Sequence, residues 1–219
     1  MYTLYGQYGT RSTAAEMVLA ESELTYELRE IDITENEHKA PEYLAINPRG
    51  TIPALVDDDG TTICETIAIM LYLTDKHDLS HLAPPPTDPL RGKCLDWLVY
   101  HATEVQEPVK RSYYPHRHAL RTNDVNGIRK AANETFLQRW QVIENHLRKN
   151  GTFHLSDRFS IVDLYLLATE TYSSKLVQGA FPAIKECVRK TSDRPLITAI
   201  LEKHKVGVEN FQSLRAYRW

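Results

Sequence analysis

At 219 residues, with 42% hydrophobic content and a formal net charge of -3, the chain has the composition of an ordinary globular protein and the length for two modest domains. That balance excludes a disordered chain, and a negative total without a concentrated basic stripe argues against nucleic-acid binding, although Lys110 to Arg121 is locally basic and aromatic. Three cysteines, Cys64, Cys94 and Cys187, lie far apart without CxxC spacing, so neither a disulfide framework nor a metal site is expected.

Met1 to Gln7 lacks a basic leader and an apolar core, and no apolar run approaches membrane-spanning length; a cytoplasmic protein without a membrane partner is expected. Charge is unevenly spread. Residues 1–80 hold 5 Lys/Arg against 15 Asp/Glu, and the remainder 21 against 14, as for two solvated faces of different composition.

Tyr2 to Gln7 is short and rich in β-forming residues, then comes a Gly-Thr-Arg-Ser turn and the helical stretch Ala14 to Glu21. Leu24 to Ile33 reads as a second strand, completing a βαβ unit. Pro41 to Ile46 is a short helical turn ending at Asn47-Pro48, because the residue before a proline avoids the helical region. Ile52 to Val56, the Asp57-Asp58-Asp59-Gly60 turn and Thr61 to Cys64 form a β-hairpin. From Glu65 to His77 apolar residues recur at helical spacing, with the Glu65 carboxylate suited to the positive end of the helix dipole. The expected order is βαβαββα over residues 1–78, an α/β domain.

Residues 79–88 carry three consecutive prolines and read as a stiff linker. Beyond it, residues 89–219 are expected to be all helical: Pro89 to about Arg111, Val125 to Lys149, and shorter helices over Pro182 to Lys190 and Asp193 to His204. Trp97 and Trp140 are read as packing residues. Ser160-Ile161-Val162-Asp163 has the form of an N-capping box that opens a further helix. Phe211 to Trp219 is an aromatic-bearing tail, with Trp219 a candidate lid.

Chemistry concentrates in the run from Asn47 to Thr66. A proline entering a strand after an irregular loop is often cis; at Ile52-Pro53 that geometry would turn the Ile52 N–H and C=O outward, where an extended peptide can pair with them. Glu65-Thr66 stands at a strand-to-helix junction whose unpartnered N–H groups suit a carboxylate, while the acidic side chain suits an ammonium. The γ-glutamyl end of glutathione carries those groups.

The opening strand and Gly-Thr-Arg-Ser turn, the run HKAPEYLAINPRGTIPALVDDDGTTICETIAIMLYL from His38 to Leu73, and the Ser160 to Asp163 box together resemble a glutathione transferase of the bacterial, theta-like or phi-like kind. The resemblance spans both expected domains and implies a thioredoxin-like fold for the α/β domain, followed by the all-α domain. It implies that Glu65 and Thr66 hold the γ-glutamyl group, that the Ile52 main chain beside Pro53 pairs with the cysteinyl unit, and that His38 and Lys39 meet the glycyl carboxylate. Many relatives carry Gln or Lys where Thr51 stands, so one polar contact to the tripeptide is shortened or missing here. Glutathione as co-substrate, a homodimer and a role in detoxification are likewise implied.

Such an enzyme must convert a thiol of pKa about 8.5 into a thiolate at neutral pH, typically by donating a hydrogen bond to sulfur. Thr10 stands where theta-like relatives usually have serine and is the first candidate, with Ser12 next. Tyr8 competes, because its spacing to Glu16 matches relatives that use a tyrosine. Beta-class relatives place cysteine where this chain has Arg11, which argues against a covalent mixed disulfide with the enzyme there. The electrophile is expected beside the helix after the linker, with Tyr100, Glu104, Tyr113 and Tyr114, together with His101, His116 and His118, as candidates. Reduction of a disulfide or peroxide, ether cleavage or isomerisation on the same scaffold is the nearest alternative. A non-catalytic dimerisation or binding module is the alternative of another class.

Overall fold

The computed structural model describes residues 1–177 and 179–203; the expected tail, including Trp219 and the last residue of the Asp193 to His204 helix, lies outside them. The described residues divide into two compact units, one of Met1–Pro85 with residues 191–203, the other Pro86–Lys190.

The first unit is built on a four-stranded sheet in the order β2-β1-β3-β4, from β1 (Tyr2–Gly6), β2 (Tyr26–Glu30), β3 (Ala54–Val56) and β4 (Thr62–Cys64). β1 runs parallel to β2 across the crossover helix α1 (Ser12–Glu21), and antiparallel pairing joins β1 to β3 and β3 to β4. β2 is shorter than the expected Leu24 to Ile33: Glu23 takes a left-handed φ of 53°, and beyond the strand Asp32 gathers the Thr34 and Glu35 amides into a turn.

Register assigns the two faces. Leu4, Leu55 and Ile63 are cross-strand neighbours, as are Tyr5, Ala54 and Cys64 one residue over. Leu4 and Leu55 are wholly buried, as are Met17 of α1 and Ile69 and Met70 of α3 (Thr66–Lys76), which packs against α1. Tyr5 and Cys64 instead join Ile52 and Ala54 in a cluster with Tyr43 of α2 (Pro41–Ile46). Two charged links fasten the C-terminal segment to α1. The Arg194 guanidinium holds the Glu21 carboxylate in a fork, Nε to Oε1 at 3.0 Å, and Lys203 Nζ lies 3.4 Å from Glu16 Oε1, which also accepts from Tyr26.

Asp57, at the β3 end, accepts from Tyr72 and from Lys76 Nζ of α3 and so ties the hairpin turn to that helix. Burial pushes its carboxyl pKa up, but the hydrogen bonds from Lys76, Tyr72 and Asp58 outweigh that and hold it well below the usual carboxylate range. A carboxyl depressed in the folded state contributes stability above its unfolded pKa of about 3.9 and loses it as pH falls through the folded value. Asp57→Asn is therefore expected to flatten the acid limb of Tm against pH below about pH 4 and to cost about 1–3 kcal/mol at neutral pH. Identical acid limbs in thermal melts would contradict this role.

The second unit is helical: α4 (Arg91–Tyr100), α5 (Gln106–Tyr113), α6 (Val125–Asn150), α7 (Ile161–Ser173) and α8 (Pro182–Ser192, whose last two residues pass into the first unit). α4 does not run unbroken to about Arg111. His101–Val105 widens into a π turn, because Pro108 has no N–H to offer the Glu104 carbonyl and its ring crowds that group. Phe136 and Trp140 of α6 stack at 5.1 Å within the core, and Trp97 packs against the same cluster. Glu144, wholly buried on α6, accepts from the Ala183 and Ile184 amides and so caps α8. The Ser160 box forms as expected: Asp163 Oδ2 accepts from Ser160 N at 2.9 Å, and Ser160 Oγ accepts from Val162 N. Among the described residues no helix is long and apolar enough to cross a membrane.

Candidate functional site

Strand register brings three of the singled-out segments to one end of the sheet. Tyr5 pairs with Ala54 and Ala54 with Cys64, so the turn after Gly6, the Ile52-Pro53 step before β3 and the Glu65-Thr66 step after β4 leave the sheet at the same end. All three belong to the first unit.

The Ile52-Pro53 bond is cis. Neither the N–H nor the C=O of Ile52 is hydrogen-bonded to another of the described residues, although its side chain is buried beside Tyr43. The preceding loop is pinned from below: Asn47, wholly buried, donates to the Thr51 carbonyl at 2.6 Å, as does the Tyr43 hydroxyl, and Asn47 Oδ1 accepts from the Arg49 amide. Burial pushes the Tyr43 phenol up to about 12, so it remains a donor.

Glu65 precedes α3 at φ 89°, ψ 124°, a left-handed backbone for a residue with a side chain. The helix therefore begins at Thr66 and not at Glu65. The Glu65 carboxylate is mostly exposed and pairs with Arg49 Nη1 at 3.3 Å. Thr66 is buried, and its Oγ1 has no hydrogen-bond partner among the described residues. An unsatisfied hydroxyl thus lies among the amides that open an eleven-residue helix.

At the first helix, the Thr10 hydroxyl donates to the Gln7 carbonyl at 2.8 Å and lies 3.0 Å from Ser12 Oγ. Ser12 is almost wholly buried and Thr10 half-buried, so of the two only Thr10 presents surface to a ligand. Tyr8 is half-buried in the same turn, near the Tyr26 hydroxyl that donates to Glu16.

His38 and Lys39 form the single turn Glu37–Lys39, where Lys39 Nζ donates to the Gly50 carbonyl at 2.7 Å. Gly50 sits at φ 55°, and a Cβ there would lie 2.7 Å from that ammonium. Of the ammonium's three donors, one is spent on the loop.

The electrophile candidates lie in the second unit. Tyr100 donates to the Arg139 carbonyl at 3.1 Å, Glu104 pairs with Arg139 at 2.9 Å, and Tyr113 donates to the Tyr172 carbonyl at 2.5 Å. Tyr114 lies under the Arg117 guanidinium, 4.0 Å from its ring centroid, and edge-on to His116. His101 is wholly buried, its Nε2 3.1 Å from that of His154; burial, then His154, hold it well below the ordinary imidazole range. His154, Asp163 and Cys187 bring donor atoms within 4.8 Å of one another, a metal-type set that composition did not anticipate. Each is already engaged there: Asp163 Oδ1 accepts from His154 N at 3.0 Å, from His154 Nδ1 at 2.8 Å and from Cys187 Sγ at 3.5 Å.

Arg49 and Tyr43 were given no role in the sequence. The available signal for Arg49 was a basic residue in the loop leading to cis-Pro53, opposite in sign to Glu65.

Residues 1–75 match the family model described as the glutathione S-transferase N-terminal domain. The chain is 29% identical to the glutathione S-transferase GstA of Escherichia coli O157:H7 over 195 residues, covering 88% of this chain and 93% of that one. It is 32% identical to the glutathione S-transferase F10 of Arabidopsis thaliana over 185 residues, covering 78% and 80% respectively. In structure it is similar to a glutathione transferase homologue from Sulfitobacter crystallised with bound glutathione, with a TM-score of 0.85 at 27% identity, covering 93% of this chain and 98% of the other. An α/β first unit with a four-stranded mixed sheet, a helical second unit and 32% identity over 78% of the chain agree: the chain belongs to the glutathione S-transferase family.

Proposed function

We propose that this enzyme binds glutathione at one end of the sheet of its first unit and activates the thiol as a thiolate for attack on a small hydrophobic electrophile. The observation that carries the reading is Thr66: a buried hydroxyl without a partner, among helix-opening amides and next to a carboxylate held outward by a left-handed backbone. Thr66 and the first amides of α3 receive the γ-glutamyl carboxylate, and Glu65, steadied by Arg49, receives the ammonium. The unengaged Ile52 amide and carbonyl pair with the cysteinyl unit as an added strand would. The two remaining Lys39 donors and His38 meet the glycyl carboxylate.

So held, the sulfur is placed at Thr10, whose hydroxyl donates to it and stabilises the anion. The thiol proton leaves to solvent. The sulfur lone pair then forms the bond to carbon, and the leaving group departs with its bonding electrons. Tyr100, Glu104, Tyr113 and Tyr114 are the proposed contacts of the second substrate. A cytoplasmic homodimer acting in detoxification completes the proposal.

The test is a pH titration of the ultraviolet difference spectrum of glutathione bound to the protein, which reports binding and thiolate together. A saturable thiolate signal well below about pH 8.5 is expected. Thr66→Val keeps the volume and removes the hydroxyl, and is expected to raise the glutathione Kd about tenfold, one hydrogen bond to a charged group. Unchanged Kd in that variant would remove Thr66 from the site, and no binding by the unaltered protein would overturn the reading.

A further inference from the structure

We propose that Ser12 is a positioning residue for Thr10: the inner link of a chain of donors running from the Gln7 amide through the Ser12 hydroxyl and the Thr10 hydroxyl to the sulfur. This rests on the assignment of Thr10 as the group that meets the thiol.

The direction of the chain follows from counting protons. Thr10 has one hydroxyl proton, and it lies on the Gln7 carbonyl at 2.8 Å. The 3.0 Å contact between Thr10 Oγ1 and Ser12 Oγ must therefore be made by the Ser12 proton, with Thr10 accepting. Ser12 Oγ in turn accepts from the Gln7 amide at 3.3 Å, and Thr10 Oγ1 accepts a second time, from the Ser12 amide, also at 3.3 Å. Both lone pairs of Thr10 Oγ1 are thus filled by donors from residue 12. When a sulfur anion stands at the exposed side of Thr10, its proton turns from the Gln7 carbonyl to the sulfur while Oγ1 stays anchored. Donors in series polarise one another, so a hydroxyl that accepts twice donates more strongly.

Two features make Ser12 part of a built arrangement. It is 1% exposed, so it acts through Thr10 and not on the ligand. And β1 makes room for it: a Cβ at Gly6 would lie 2.5 Å from both Ser12 Cβ and Oγ, a distance no side chain can occupy. The charged and titratable groups flanking the chain are Tyr8 and Arg11 of the same turn, Glu16 one turn on in α1, and Asp32, which accepts from Gln7 Nε2 at 3.2 Å.

The experiment reads the pKa of glutathione bound to the dithiothreitol-free full chain, by ultraviolet difference titration, in Ser12→Ala, Thr10→Ala and the double variant. Ser12→Ala is expected to raise it by about half a unit, from loss of cooperative polarisation and of orientation, with glutathione Kd unchanged within about twofold. In the Thr10→Ala background the same replacement is expected to shift nothing, because a relay without its outer member has no output. Ser12→Cys, similar in volume but a weak donor, is expected to follow the alanine variant, and it supplies the reading where alanine does not fold. Equal shifts in both backgrounds, or no shift in either Ser12 variant, would overturn the relay. Thr10→Ala that binds glutathione with an unaltered thiol pKa would overturn the Thr10 assignment itself, a different result.

Discussion

Asp163→Ala is expected to destabilise the fold by about 3–5 kcal/mol, the range for removing one member of a buried, hydrogen-bonded charged network. The carboxylate is wholly buried and serves two jobs at once. Its Oδ2 accepts from the Ser160 amide at 2.9 Å and the Ser160 hydroxyl at 3.2 Å, opening α7; its Oδ1 accepts from the His154 amide and from His154 Nδ1. Alanine leaves two amides and an imidazole N–H buried without an acceptor. His154 in turn orients His101, so the vacancy passes to the π turn after α4. At this chain length the loss corresponds to a Tm lower by about 6–20 °C. Asp163→Asn keeps one carbonyl acceptor and is expected to fall between the two. A melt of Asp163→Ala within about 3 °C of the unaltered protein would show that the box is dispensable.

Local chemistry made much of this visible in the sequence. The Ser160 box needs only four consecutive residues, and a proline after Asn-Pro-Arg-Gly-Thr announced the step at Ile52-Pro53. The start of α3 lies one residue later than expected, because Glu65 suits a helix dipole by type, yet its φ of 89° is a conformation that no local propensity indicates. Lys39 is matched by resemblance to a ligand carboxylate; that one of its donors also serves the Gly50 carbonyl, eleven residues on, is fixed by how the loop folds and is not legible in the sequence.

Long-range pairings were beyond periodicity altogether. His101 meets His154 across 53 positions, and Arg194 meets Glu21 across 173. The π turn is a different kind of miss, since its cause, Pro108, stands in the sequence inside a stretch read as one helix. Thr10 and Ser12 were interchangeable as hydroxyls near a helix start; burial separates them, leaving Thr10 at the surface of the turn and Ser12 behind it.

That separation yields the second large effect, Thr10→Ala on the thiol. A hydrogen bond to a charged acceptor is worth about 1.5–3 kcal/mol, and 1.36 kcal/mol is one pKa unit, so losing the Thr10 donor is expected to raise the bound thiol's pKa by about 1–2 units. The sign fixes the pH dependence. A thiol whose pKa has risen carries less thiolate at every pH below the new value, so kcat/KM is expected to fall about 10–100-fold near pH 6.5. Above about pH 9 both enzymes hold the sulfur ionised, and the thiolate deficit closes. Thr10→Ser keeps the donor and is expected to retain the profile, whereas Tyr8→Phe is expected to leave it in place. If instead Tyr8→Phe moves the profile and Thr10→Ala does not, the activating hydroxyl is the tyrosine's, and the helix-start pair serves only to hold the turn.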